Sequence, residues 1–261
     1  MSAVQDGWLS SRIRRRATRS WARLQGMAGR GARPVSPEIE GQARELHGIL
    51  GQLIHSCDIQ AMGPRNSLAR MLLPAGTDWR WRPRVLQVPS GIRSLAGIET
   101  GMWLSPEVAL FHDCPNRALI LRQRRNRRAT DLADYALSLE VMGFGGSYLS
   151  FSLSLPPEAL DGLGGQHVIR LDAVLQAERP VTVYARLNVQ QGPNTEKMLR
   201  QMGDPVAGGN NGRVVEFDLG YAELSARPVD KAWIDLIYET PRMNAVVLRD
   251  IVTSRHLRAQ I

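Results

Sequence analysis

Residues 147–156, SYLSFSLSLP, and 180–190, PVTVYARLNVQ, decide the fold. In the first, Leu149, Phe151, Leu153 and Leu155 take every second position, with Tyr148, Ser150, Ser152 and Ser154 between them. In the second, Val181, Val183, Ala185, Leu187 and Val189 alternate with Thr182, Tyr184, Arg186, Asn188 and Gln190. A period of two sends successive side chains to opposite faces of a pleated strand, so each segment reads as a strand with one apolar and one polar face. Further strand candidates are 84–88, 102–104, 108–111, 118–122, 135–141, 167–174, 214–219, 232–238 and 245–253. Short strands divided by Gly, Pro and Asn turns, with no helical pattern of a dozen residues between them, predict an antiparallel arrangement. The expected fold is mainly β: a jelly-roll-like β-sandwich over residues 76–261, preceded by an N-terminal α-helical basic arm. Residues 191–213 exceed a hairpin loop and are expected to form a long connection with a helical turn around 196–202.

Upstream of the sandwich the period is helical. In WLSSRIRRRATRSWARLQGMAGRGARP, residues 8–34, Leu9, Ile13, Ala17, Trp21 and Leu24 recur at helical spacing and arginines fill most of the remaining circumference. The glycines and proline that follow predict a hinge, so residues 1–34 form an arm. A second helix is expected to start at the cap Ser36 with Pro37 in its first turn and to stop at Gly63-Pro64, giving a helical segment within 35–75. The formal charge of the 261 residues is +8. Residues 1–34 hold eight arginines against Asp6 alone, so the body is nearly neutral. Apolar residues make up 43% of the chain and charged residues 22%, which excludes wholesale disorder. No stretch approaches the length of a membrane-spanning helix. Cys57 and Cys114 lack metal-ligand spacing and read as free thiols.

No catalytic set emerges. GxSxG, HExxH, P-loop, GxGxxG and paired CxxC motifs are missing from the sequence, and His47, His55, His112, His167 and His256 are scattered. No catalytic residue, metal or cofactor is therefore expected. The carboxylates Glu216, Asp218, Asp235, Glu239 and Asp250 lie in strand candidates, and a pair such as Glu216 and Asp235 would suit a glycan hydrolase if the two flanked one bond. The plainer reading pairs these carboxylates across strands with Arg170, Arg186 or Arg249. The run RQRRNRR at 122–128 lacks the interleaved aromatics of a nucleic-acid module and reads as a solvated loop, so no sequence-specific nucleic acid is expected.

Two surfaces remain as candidates. The polar row of residues 180–190 offers Tyr184, Arg186 and Asn188, and the strand candidate 232–238 offers Trp233 and Asp235 on one face. Sugars are bound by an aromatic plane against their C–H groups and by planar amide, guanidinium and carboxylate groups at their hydroxyls, so these five residues are the candidate carbohydrate site. In the arm, Trp8, Arg12, Arg15, Arg16, Arg19 and Trp21 combine charge with amphipathicity and suit docking to an acidic groove or an anionic membrane surface.

The runs VYARLNVQQGPN (183–194), VVEFDL (214–219) and AWIDLIYETPRMNAVVLRDIVTSRHLRAQI (232–261) carry the words EFDL, AWIDLI, ETPRMN and LRD. As a set they resemble an uncharacterised alphaproteobacterial family similar to the head-spike components of gene transfer agents. The resemblance implies a non-enzymatic adhesion protein of a phage-like particle, an oligomer that carries or supports binding to capsular polysaccharide. It further implies that the arm docks on the capsid or a partner spike protein. The basic cluster is not followed by the apolar core of a secretory signal. Synthesis in the cytoplasm and display on the particle surface are the matching expectation.

Overall fold

The computed structural model describes residues 8–28, 36–61, 68, 71–92, 94–225 and 227–258. Of the hinge expected over 26–37, residues 26–28 and Pro37 are helical and 29–35 lie outside what is described, as do the Gly63-Pro64 stop and the Cys57 side chain. The chain divides into two compact units, Met1–Ile59 and Gln60–Ile261. The first contains α1 (Trp8–Ala28) and all but the last two residues of α2 (Pro37–Ala61). The Ser36 hydroxyl accepts the Ile39 amide at 3.4 Å, and Glu38 and Glu40 occupy the first turn of α2, where the exposed amides favour negative charge.

The second unit is a β-sandwich of two antiparallel sheets. Its strands are β1 (Thr77–Trp81), β2 (Leu95–Ala96), β3 (Met102–Trp103), β4 (Val108–His112), β5 (Leu119–Arg125), β6 (Tyr135–Val141) and β7 (Tyr148–Ser154). They continue with β8 (His167–Val181), β9 (Val183–Gln191), β10 (Asn194–Gln201), β11 (Val206–Asp218), β12 (Lys231–Glu239) and β13 (Asn244–Leu257). One sheet runs β11-β8-β13-β6-β5-β2, with β1 added to β13, and the other runs β10-β9-β12-β7-β4-β3. The alternation seen in the sequence is the reason they close on each other. Met198, Leu187, Ile234, Leu153 and Val108 form one buried row across five strands of the second sheet. They share the core with Leu137, Leu139, Ile169, Leu171 and Phe217 of the first sheet.

Three expectations are corrected. The stretch 191–213 is not a loop with a helical turn: it holds β10 and the start of β11. Gly192, at φ 59°, and Pro193 form a two-residue hairpin loop between paired Gln191 and Asn194. Both β10 and β11 are edge strands, so NTEKMLRQ and GGNNG need no apolar alternation to stay in place. Residues 84–88 are not a strand. Arg84–Leu86 is a short 3-10 turn that buries Val85 and Leu86 against the core. The basic run at 122–128 begins inside β5, where Arg122 and Arg124 pair with Glu140 of β6, so only its end leaves the sheet.

One buried ion pair joins the ends of the sandwich sequence. Arg82 is 1% exposed, and its Nε and Nη2 donate to the two carboxylate oxygens of Asp250 at 2.7 and 2.8 Å. A bulge in the β8–β13 register between Leu248 and Asp250 turns this carboxylate toward Arg82. Removing the carboxylate takes a bidentate counter-charge from the buried guanidinium, so Asp250→Asn is expected to lower unfolding free energy by about 3 kcal/mol in urea titration. The double variant Arg82→Met/Asp250→Leu is expected to lose far less; equal losses would contradict the pairing.

A second pair, Arg255 with Asp78, holds β1 on β13 through bonds of 3.0 and 2.8 Å. These hydrogen bonds, opposed by partial burial, keep the Asp78 carboxyl below the usual range. Its stabilisation is present above the unfolded-state value, about 3.9, and is lost as pH falls through the lowered folded value. Asp78→Asn is accordingly expected to flatten the acid limb of the stability profile below about pH 4; an unchanged limb would exclude it.

Candidate functional site

Because the inner residues of the six-stranded sheet fill the core, its other residues form an outward grid. The middle row is Leu199, Arg186, Asp235, Ser152, Ala109 and Trp103. On one side lies the row Lys197, Asn188, Trp233 and Ser154, and on the other Gln201, Tyr184, Ile237, Ser150 and Phe111. Rows two residues apart stand about 7 Å from each other, a spacing on the scale of a sugar ring. Between them runs a groove of about 420 Å³, walled by Trp233 on one side and by Phe111 and Tyr148 on the other, with Arg186, Asp235, Ser150 and Ser152 along its length.

The register sets the polar floor. Asp235 of β12 lies directly opposite Arg186 of β9, and Oδ2 accepts from Arg186 Nε at 3.1 Å and Nη2 at 2.9 Å. The same oxygen accepts Asn188 Nδ2 at 2.9 Å, while that amide also reaches the Arg186 and Trp233 carbonyls at 3.2 and 3.3 Å. Among the described residues Asp235 Oδ1 accepts no hydrogen bond, so it remains available at the groove. The Asp235 side chain is 8% exposed and that of Arg186 41%, so the guanidinium presents its edge to solvent over a buried carboxylate. Ser150 Oγ, also buried, has no partner among the described residues.

The aromatic wall is fixed by a separate device. Asp113, just after β4, accepts the Ser147 amide, the Ser147 hydroxyl and the Tyr148 amide at 2.6 to 3.1 Å, fastening the start of β7 where Tyr148 projects. Burial raises the Asp113 pKa, but these hydrogen bonds outweigh it and hold the carboxyl below the usual range. A Cβ at Gly146 would collide with this carboxylate and lie 2.9 Å from the Cys114 amide, so the turn demands glycine.

Four of the five residues chosen from sequence, Arg186, Asn188, Trp233 and Asp235, meet in one cluster. Tyr184 stands in the adjoining row beside Ile237. Asn188 is 1% exposed and therefore holds Asp235 and the strand edge in place without itself facing a ligand. Glu216 and Asp235 sit on different sheets, each facing outward, with the sandwich core between them. They cannot flank a single glycosidic bond. Glu216 instead meets Arg170 at 3.3 Å, Asp218 meets Arg258 at 2.8 Å, and Asp250 is the buried partner of Arg82. Sequence reasoning missed Trp103, Phe111, Tyr148, Ser150 and Ser152 as site residues. The last three were visible as the polar face of residues 147–156, but nothing in the order of the chain announced that β12 lies between β9 and β7. Among the described residues no group of three or more His, Cys, Asp and Glu is disposed to hold a metal.

The arm residues Trp8, Arg12, Arg15, Arg16, Arg19 and Trp21 all lie on α1. Trp8 is 68% exposed with the Arg12 guanidinium 4.7 Å above its ring, the four arginines are exposed, and Trp21 is half-buried. No helix among the described residues is long and apolar enough to cross a membrane.

Several solved structures share coarse features with the chain. The CBM22-1 xylan-binding domain of Paenibacillus barcinonensis Xyn10C aligns over 64% of this chain and 94% of its own, at 10% identity and TM-score 0.37. A family 11 carbohydrate-binding module from a Clostridium thermocellum cellulase aligns over 66% and 97%, at 11% identity and TM-score 0.35. The enzymatically active domain of bacteriophage CBA120 tailspike protein 4 aligns over 56% of this chain but only 19% of its own length, at 12% identity and TM-score 0.42. Likenesses this faint carry no argument about ligand or activity. No curated protein matches the sequence. A family of unknown function, DUF6478, matches residues 1–261, and the chain belongs to that family.

Proposed function

We propose that this is a non-enzymatic polysaccharide-binding protein whose ligand lies along the outer face of the six-stranded sheet. The observation that carries this reading is the groove itself: aromatic walls from Trp233, Phe111 and Tyr148 enclose a floor where Arg186 and Asp235 are already ion-paired. Such a floor offers rigid donors and an acceptor to hydroxyl groups without reorganisation at the moment of binding. The unpartnered Ser150 hydroxyl gains a hydrogen bond if a ligand hydroxyl reaches it. With Glu216 on the opposite face of the sandwich, the pair that would have supported hydrolysis is lost, which favours binding without cleavage.

The resemblance of EFDL, AWIDLI, ETPRMN and LRD to gene transfer agent head-spike proteins supports a setting for this face. In that setting the protein is an oligomeric spike component, made in the cytoplasm and displayed on a phage-like particle, and the face attaches the particle to capsular polysaccharide. The arginines of α1, which meet no acidic residue within that helix, suit docking to an acidic surface of the capsid or of a partner spike protein.

The full-length protein is expected to be retarded in affinity electrophoresis through gels containing bacterial capsular polysaccharide, with no reducing sugar released. Trp233→Ala is expected to weaken retardation about thirtyfold, the loss of about 2 kcal/mol typical of a buried aromatic anchor. Retardation unaffected by Trp233→Ala would remove this face from the account, and release of sugar would overturn the non-enzymatic reading.

A further inference from the structure

The charges around the groove are not evenly distributed. Of the chain's many cations only Lys197 and Lys231 are lysines, and both stand on the outer face of the six-stranded sheet, on strands flanking β9. Lys197 is paired with Asn188 and Lys231 with Gln190, two residues further along the same strand. By strand spacing and residue rise, their Cα atoms are about 12 Å apart. Both are exposed, and among the described residues neither has a salt-bridge partner. The carboxylates nearest in sequence are otherwise engaged or turned away. Asp230 accepts the Gly192 amide at 2.5 Å, and Glu196 pairs with Val189, on the opposite face of β10. Asp235 is engaged by Arg186, and Glu239 lies at the far end of β12. Two unpaired ammonium groups therefore stand on the sheet face beside the Trp233 wall.

Lys231 also stands against the aromatic wall of the groove, two residues before Trp233 on β12, with Asp235 two residues after it. The lysine Nζ sits 5.2 Å from the centre of the Trp233 ring. A neutral sugar stacking on Trp233 from the groove offers the neighbouring ammonium no counter-charge. An acidic sugar stacked there brings a carboxylate within reach of the ammonium, so the aromatic contact and the charge contact reinforce each other. From this juxtaposition we infer that the face selects anionic polysaccharide, with the carboxylates of uronic-acid-type residues read by Lys231 and Lys197 beside a ring stacked on Trp233. This inference rests on the polysaccharide-binding reading and narrows its substrate class.

The test is an array of neutral and uronate-containing bacterial polysaccharides probed with the full-length protein, with Lys197→Met/Lys231→Met and with Trp233→Ala. Both lysines are exposed, so the double variant should retain the wild-type far-ultraviolet circular dichroism and thermal midpoint. The wild type is expected to bind uronate-containing polymers. Reduction of their carboxyl groups, or the double lysine substitution, should weaken binding by about tenfold or more, and added salt should weaken the wild type more than the variant. Binding to neutral polymers that depends on Trp233 but ignores the lysines would overturn the inference and leave the polysaccharide-binding face standing. Binding to acidic polymers that survives both the lysine and Trp233 substitutions would assign it to the arginine-rich helix and also overturn it. No binding to any polymer would remove both readings.

Discussion

Leu187, Ile234 and Leu153 stand side by side across β9, β12 and β7, sealed between the two sheets. The pleat then leaves their neighbours no choice. Arg186, Asp235 and Ser152 must form the next row on the outer face, because a strand cannot send adjacent residues to the same side. A register slip of one residue on β12 would bury Asp235 and Trp233 and expose Ile234 and Leu236, a change the apolar layer forbids. The groove is thus a consequence of how the core closes, and its chemistry depends on what the sequence places at the intervening positions.

What it places there differs from an ordinary solvated sheet face. A strand exposed only to water can carry any polar residue, and its ion pairs add little to stability. Here the Asp235 carboxylate is buried beneath Arg186 and tied to the Asn188 amide, while aromatic rings on the outer face border the groove. Asp113 and Gly146 add a tight turn whose evident result is to set Tyr148 at the rim. Rigid polar groups between apolar planes match the mixed character of a sugar, and Lys197 and Lys231 stand on the sheet face beside Trp233. The basic helix α1 carries its charge in the other compact unit.

Much of the fold was legible because buried strands must alternate. Residues 147–156 and 180–190 show the period of two, and both become central strands of one sheet. Ser36 and Pro37 announced the start of α2 through capping chemistry. Legibility failed where burial stopped enforcing a pattern. The edge strands β10 and β11 expose so much of both faces that NTEKMLRQ and GGNNG resemble loop, although Gly192-Pro193 marked the hairpin that joins β9 to β10. Residues 84–88 look like a strand because Val85 and Leu86 are apolar, yet they plug the core from a turn. In the site, residue types chosen along single strands were brought together, but the contributions of Phe111, Tyr148, Ser150 and Ser152 required the strand order. The ion pair of Arg82 with Asp250, 168 positions apart, left no local trace.

The six tryptophans provide a direct report on the central claim, because they are distributed among different parts of the chain. Trp8 and Trp21 belong to α1, Trp79 and Trp81 stack on each other in β1, and Trp103 and Trp233 lie on the outer face of the six-stranded sheet. Titration of the ¹⁵N-labelled protein with a capsular oligosaccharide, followed through the indole N–H resonances, therefore locates the ligand. A ligand in the groove shifts the Trp233 signal saturably, with Trp103 following, while the signals of Trp79 and Trp81 stay in place. Saturable shifts confined to Trp8 and Trp21, or to Trp79 and Trp81, would contradict that placement.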